Sequence, residues 1–213
     1  FEFVFASEMK ALWAAGVERK LNHRMLFNFI TIGYTDNPAC PEETFFENVL
    51  RLSPASVLYY TPAKQELVVE KYWDIEVEEQ DEKISDEDAI GKFKGLFETS
   101  VKRRLRSDVP LGTSLSGGLD SSSIAATISQ LQTKKNKLQT FSAIFPGFEK
   151  NEEKYIDEVT NHFSLQSFKT FVNNEEIPGL FQTIIKQQDE PFGSAGTLPQ
   201  YKVFELAKQS NVK

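Results

Sequence analysis

The 213-residue chain has one cysteine, Cys40 in "NPACPEE". A single cysteine cannot close an internal disulfide and fits a reducing compartment, so the expected location is the cytoplasm. With Pro41 behind it and only His23 and His162 as histidines, Cys40 reads as a small buried or turn residue rather than a nucleophile. The same scarcity excludes zinc sites of the Cys/His type. Missing too is any apolar run near the roughly 18 residues that would cross a membrane. No secretory leader is visible, and the chain opens without an initiator Met, as an excerpt of a longer protein would. Basic residues are outnumbered, 24 Lys and Arg against 31 Asp and Glu, leaving a formal charge of −7. That balance argues against broad binding to nucleic acid or anionic membranes, which need basic surfaces.

What is present is enough to build a core: 40% hydrophobic residues, including 18 phenylalanines. "FEFVFA" (Phe1 to Ala6) reads as a strand by its aromatic and β-branched content. Ser7 then reads as the N-cap of a helix over "EMKALWAA", stopped by Gly16. Asn22 caps a second helix that ends near Gly33. "PEETFFENVLRL" is expected to be a short helix with Pro41 at its start. "LSPASVLYY" and "LVVEKYW" are two strands joined by the turn "TPAKQEL". Residues 1–75 thus read as α+β. Acids crowd "EVEEQDEKISDED", and residues 76–88 are expected to be an exposed linker.

Ser85 opens a new unit with a capping-box-like "SDED". Ile90, Phe93, Phe97, Val101 and Leu105 follow at helical spacing. Beyond them the pattern alternates. Strands are expected at 112–115, 138–145 and 166–172, helices at 121–133, 151–162, 177–187 and 197–210, and "NVK" looks like one more strand beginning. Such alternation predicts an α/β domain, 89–213, with a parallel, doubly wound sheet covered on both faces. Lys102, Arg103, Arg104 and Arg106 form a basic group that reads as a solvated helix face.

The chemistry concentrates in "SLSGGLDSSSIAA", where a strand ends and a helix begins. Open parallel sheets bind ligands beyond the carboxyl ends of their strands. A helix N-terminus offers unpaired amides and partial positive charge, which attract phosphate. Gly117 and Gly118 can let the backbone approach an anion closely, and successive amides form a nest. The hydroxyls of Ser116, Ser121 and Ser122 can donate further bonds. Asp120 would repel phosphate unless Mg²⁺ lies between, because Mg²⁺ favours one or two carboxylates plus phosphate oxygens. The string lacks the lysine of G-x-x-x-x-G-K-[ST], and its adjacent glycines do not fit G-x-G-x-x-G.

"SLSGGLDSSSIAA" resembles the pyrophosphate loop of ATP pyrophosphatases of the asparagine synthetase type. "SDVPLG", "TFSAIFPGFEKNEEKYIDEV" and "DEPFGSAGTLPQYKVFELA" also resemble that family. "FVFASEMKAL", "FFENVLRLSPAS" and "KYWD" are similar to the end of its glutaminase domain. The resemblance implies that 1–75 is the C-terminal remnant of an Ntn-type glutaminase domain. It implies that 89–213 is the N-terminal, incomplete part of an ATP-pyrophosphatase synthetase domain. It implies ATP and Mg²⁺ as cofactors, with aspartate and glutamine as the other small-molecule substrates. The implied reaction adenylates the aspartate side chain, releases pyrophosphate, and amidates with glutamine-derived ammonia to give asparagine. Ser116, Gly117, Gly118, Leu119, Asp120, Ser121 and Ser122 would hold pyrophosphate, with Asp120 a Mg²⁺ ligand. The backbones of Ser114 and Ala143 would meet adenosine. Glu190, beyond a helix end, has two readings: a residue lining the acceptor site, or a buried structural acid.

Cys40 does not match the family's N-terminal catalytic cysteine. The resemblance also implies a second acid-rich nucleotide loop after Lys213, and pyrophosphate-binding lysines farther along. This chain alone is therefore expected to be inactive. Two other readings stay open: a related amidotransferase or cyclising ligase acting on another carboxylate, and a nucleotide-binding module without turnover. The oligomeric state is also open, a homodimer being one option.

Overall fold

The computed structural model describes residues 3–75, 84–131 and 137–212. The chain divides into two units, one of Phe1–Gln80 with Ile185–Ser194, the other of Asp81–Ile184 with Ala195–Lys213.

In the first unit, α1 (Met9–Ala14) and α2 (His23–Ile32) precede a hairpin of β1 (Ser56–Thr61) and β2 (Glu66–Lys71). Asn22 caps α2 as its sequence requires, its side chain accepting from the amides of Arg24 and Met25. Gly33 ends that helix at φ 74°, the left-handed geometry that glycine adopts without strain. The hairpin is antiparallel, with Ser56 opposite Lys71 and Thr61 opposite Glu66.

Three local expectations fail here. Residues 3–6 form no strand: no ladder pairs them among the described residues, and the Phe3 ring packs against Tyr60 at 4.8 Å instead. Glu8, not Ser7, occupies the cap position of α1, and it makes no side-chain cap bond. "PEETFFENVLRL" forms no helix. Leu21 bridges Phe46 and Glu43 bridges Leu50, while the buried Thr44 hydroxyl donates to the Val49 carbonyl at 2.7 Å. Burying Phe45 and Val49 against a neighbouring segment outweighs the local preference for helix.

Glu43 anchors this extended stretch. Its carboxylate accepts from Asn37 Nδ2 at 2.5 Å, from Asn22 Nδ2 at 3.0 Å, and from the Arg24 guanidinium. The Asn37 bond, then those from Arg24 and Asn22, lower its pKa from 4.5 to about 2. A depressed carboxylate stabilises the fold above its unfolded value and loses that contribution as pH falls through its folded one. Urea midpoints of the wild type and Glu43→Gln are therefore expected to differ at pH 7 and to converge between pH 4.5 and about 2. A gap that persists at pH 2 would assign the effect to packing.

In the second unit, Ser85 caps α3 (Asp86–Arg104) by accepting from the Asp88 amide. The helix thus begins within the stretch read as linker, whose residues 76–83 lie outside the described set. Only the carboxyl half of its apolar stripe packs inward. Val101 is buried with Phe97 and Leu105 against it, whereas Ile90 and Phe93 are exposed. The elements β3 (Gly112–Ser114), α4 (Leu119–Leu131), β4 (Gln139–Ala143), α5 (Glu153–His162), β5 (Gln166–Thr170), α6 (Ile177–Gln188, of which residues 185–188 count with the first unit) and α7 (Thr197–Gln209) follow. The α/β expectation holds as a three-stranded parallel sheet in the order β3–β4–β5. Val101, Leu115, Ala125, Ile128, Leu138 and Ile156 fill one side, beneath α3, α4 and α5. Phe141 and Val203 pack on the other, where α7 lies, with Phe168 stacked on Phe141 at 5.3 Å. "NVK" continues no strand among the described residues: Asn211 turns at φ 58°, and Val212 packs into the α7 cluster.

Candidate active site: a glycine turn at the carboxyl edge of the sheet

β3 ends at Ser114, and Leu115 makes one last ladder bond, from its amide to the Phe141 carbonyl at 3.0 Å. The chain then turns at Gly117, φ 82°. A Cβ there would sit 3.0 Å from Tyr155 Cβ and 3.2 Å from both the Glu152 carbonyl oxygen and the Ile156 amide nitrogen. The turn is thus pressed onto the start of α5, and both its handedness and its closeness require glycine. Gly118 is under less constraint, the nearest atom to its added Cβ being Ser116 Oγ at 3.4 Å.

Serines tie the loop together. Ser116 Oγ and Ser121 Oγ lie 2.9 Å apart, the Ser116 amide donates to Ser121 Oγ at 3.2 Å, and the Gly118 amide donates to Ser116 Oγ at 3.3 Å. The helical ladder begins with the Ser122 amide donating to the Gly118 carbonyl at 3.1 Å. The amides of Leu119, Asp120 and Ser121 precede that ladder, and among the described residues they have no acceptor. Ser122 Oγ is buried without a hydrogen-bond partner. An orphaned hydroxyl and a row of open amides at a helix N-terminus are the donors an anion needs.

Asp120 projects from the first turn of α4 and is exposed. Among the described residues its carboxylate enters no ion pair or hydrogen bond, so it is free to ligate. No group of three or more His, Cys, Asp or Glu side chains among the described residues is placed to hold a metal. A Mg²⁺ ion on Asp120 would therefore take water or ligand oxygens, rather than further carboxylates of the described residues, for the rest of its shell.

The next strand shows a break the sequence hid. In a parallel ladder, the rung after Leu115 would run from the Ala143 amide to the Leu115 carbonyl. That carbonyl instead accepts from the buried Ser142 hydroxyl at 2.6 Å. The Ala143 amide thereby loses its strand partner and has no acceptor among the described residues. Ser114 and Ala143, named from the sequence for backbone contact with adenosine, both lie at the carboxyl edge with the glycine turn. Sequence reading missed Ser142, although a serine inside "TFSAIF" is a polar intrusion in an apolar strand. It also missed the backing of Gly117 by Glu152 and Tyr155, which no pattern encodes.

Glu190 falls in the first unit. Its oxygens accept from the Phe45 amide and from Arg51 Nη2, each at 2.9 Å. It lines an open cavity of about 430 Å³ with Met9, Leu12, Val49 and Arg51. The neighbouring Asp189 takes Lys10 Nζ at 3.1 Å. Lys102, Arg103, Arg104 and Arg106 are all exposed, as a solvated helix face requires. Lys169, at the edge of the sheet, is committed to Glu153 at 2.8 Å and Asp157 at 2.6 Å.

A protein of Methanocaldococcus jannaschii assigned as a glutamine-hydrolysing asparagine synthetase is 30% identical over 98% of the chain. The glutamine-hydrolysing asparagine synthetase 3 of Bacillus subtilis is 27% identical over 89% of it. The amidase chry2 of Gibberella zeae is 32% identical over 68% of it. The chain spans 39%, 32% and 21% of these relatives' lengths. Residues 92–213, which contain the glycine turn and every strand of the parallel sheet, match the asparagine synthase family model. On that match, the chain belongs to the asparagine synthase family.

Proposed function

We propose that this chain carries the ATP-binding part of an ATP-dependent amide-forming ligase that makes asparagine. The aspartate side-chain carboxylate attacks the α-phosphorus of ATP, the bond to the β-phosphate breaks, and pyrophosphate leaves. Ammonia from glutamine then attacks the activated carbon, AMP departs, and a proton passes to solvent. In this reading, residues 1–75 are the end of a glutaminase domain and 89–213 the beginning of the synthetase domain.

The observation that carries the reading is the Gly117 turn with the open amides of α4 beyond it. Charge develops on pyrophosphate as the bond breaks, and donors already fixed in place stabilise it without reorganising. Ser116 and Ser121 hold the turn, the amides of Leu119, Asp120 and Ser121 would meet the anion, and the unpartnered Ser122 Oγ is a further donor that a shift of the loop could bring to it. The Ala143 amide, freed by Ser142, supports a backbone contact with adenosine there, and Ser114 is proposed for a second one. Mg²⁺ on Asp120 would supply charge neutralisation at the phosphates. Glu190 is proposed for the acceptor side, held in one orientation by Phe45 and Arg51.

Acceptor-dependent ATP–pyrophosphate exchange in the intact protein tests this. Aspartate is expected to support exchange and other carboxylates not to. Exchange driven only by another carboxylate would select a related ligase, in keeping with relatives named as amidases. No exchange with any acceptor, despite ATP binding, would leave a nucleotide-binding module without turnover.

A further inference from the structure

Just past β4 the chain carries two phenylalanines that packing does not consume. Phe145 is 41% and Phe148 55% exposed, and their rings meet edge to face at 6.4 Å. Exposed aromatic rings on a slack loop would mean little, but this turn is pinned. The Phe145 amide donates to Asn151 Oδ1 at 3.1 Å, the Phe148 amide to the Phe145 carbonyl at 3.0 Å, and the Asn151 amide to the Phe148 carbonyl at 3.0 Å.

The pinning residue leads directly into the element that backs the glycine turn. Asn151 is followed by Glu152, whose carbonyl closes on Gly117 together with Tyr155 and Ile156. One short segment thus fixes both the aromatic turn and the phosphate loop. Ala143 closes β4, and the Ile144 amide makes one further rung, to the Thr170 carbonyl at 2.8 Å. Phe145 therefore stands two residues beyond the open Ala143 amide, at the carboxyl edge where the loop lies.

We propose that Phe145 and Phe148 form an apolar wall against which the purine ring of the bound nucleotide packs; this rests on the nucleotide reading above. A purine offers a flat π-face to such rings, and stacking on them is tolerant of base edge chemistry. The wall would add affinity for the base and nothing for the phosphates.

Calorimetric titration of the intact protein with Mg·ATP and, separately, with inorganic pyrophosphate tests it. Phe145→Ala is expected to weaken ATP binding about tenfold while pyrophosphate affinity stays within about twofold, and Phe145→Tyr is expected to restore ATP binding. Unchanged ATP affinity in Phe145→Ala would overturn the proposal. So would an equal loss for ATP and pyrophosphate, which would make the turn a support for the Gly117 loop. Wild-type protein that does not bind ATP, whether or not it binds pyrophosphate, would overturn the nucleotide reading and the wall with it, whereas tight ATP binding that Phe145→Ala leaves unchanged would overturn the wall alone.

Discussion

Asp120→Asn in the intact protein is expected to lower ATP–pyrophosphate exchange by about 10²–10³-fold, the scale on which a preorganised stabiliser of developing charge acts. The expectation rests on what Asp120 does not do. It sits in the first turn of α4, exposed, with no ion pair among the described residues. The fold gains from it only the attraction between an acid and a helix N-terminus, about 0.3–1 kcal/mol. Asparagine keeps the shape and the ability to sit at that end of a helix, so the urea midpoint should hardly move. Once phosphate is bound at the open amides, the Asp120 carboxylate would repel it, and a bridging divalent ion removes the conflict. The Mg²⁺ concentration needed for half-maximal exchange should therefore rise in the variant. Exchange and Mg²⁺ dependence that both match the wild type would remove the metal role and leave Asp120 as a helix-end acid.

The sequence was legible wherever a local device decides the structure. Asn22, Gly33 and Ser85 cap and stop helices through bonds or dihedrals within a few residues, and each does so where expected. The strand–helix rhythm of the second unit was legible for the same reason, since turn residues such as Pro110, Gly117, Pro146 and Gly147 punctuate it. Legibility failed where distant contacts decide. The 41–52 segment has helical composition but is held extended by bridges to Leu21 and between Glu43 and Leu50. Residues 3–6 have strand composition but no ladder partner among the described residues. At the site, the motif disclosed the loop and its acid, because glycine, serine and aspartate carry their chemistry in their type. The free Ala143 amide was not legible. It arises because the Ser142 hydroxyl captures a carbonyl 27 residues away, and only the packed sheet brings the two together.

Gly117→Ala is expected to be far more damaging than Gly118→Ala, although the two glycines are adjacent and look equivalent in the sequence. Gly117 sits at φ 82°, where an L side chain is strained, and its new Cβ would press on Tyr155 Cβ at 3.0 Å and on two backbone atoms of α5 at 3.2 Å. Backbone cannot swing aside as a flexible side chain can, so the turn or α5 must shift. Left-handed strain alone is worth about 1–3 kcal/mol, and the overlap adds to it. Gly118 has no such φ, and the nearest neighbour of its added Cβ is Ser116 Oγ at 3.4 Å, an ordinary contact. Equilibrium urea unfolding of the intact protein should show a loss of about 2 kcal/mol or more for Gly117→Ala. For Gly118→Ala it should show less than about 1 kcal/mol. Pyrophosphate binding should follow the same order, because displacing the turn moves the amides of Leu119, Asp120 and Ser121 that are proposed to meet the anion. Equal effects at the two positions would mean that the turn is not seated on α5. A Gly117→Ala protein that is destabilised yet binds pyrophosphate with full affinity would place the anion elsewhere on the sheet edge.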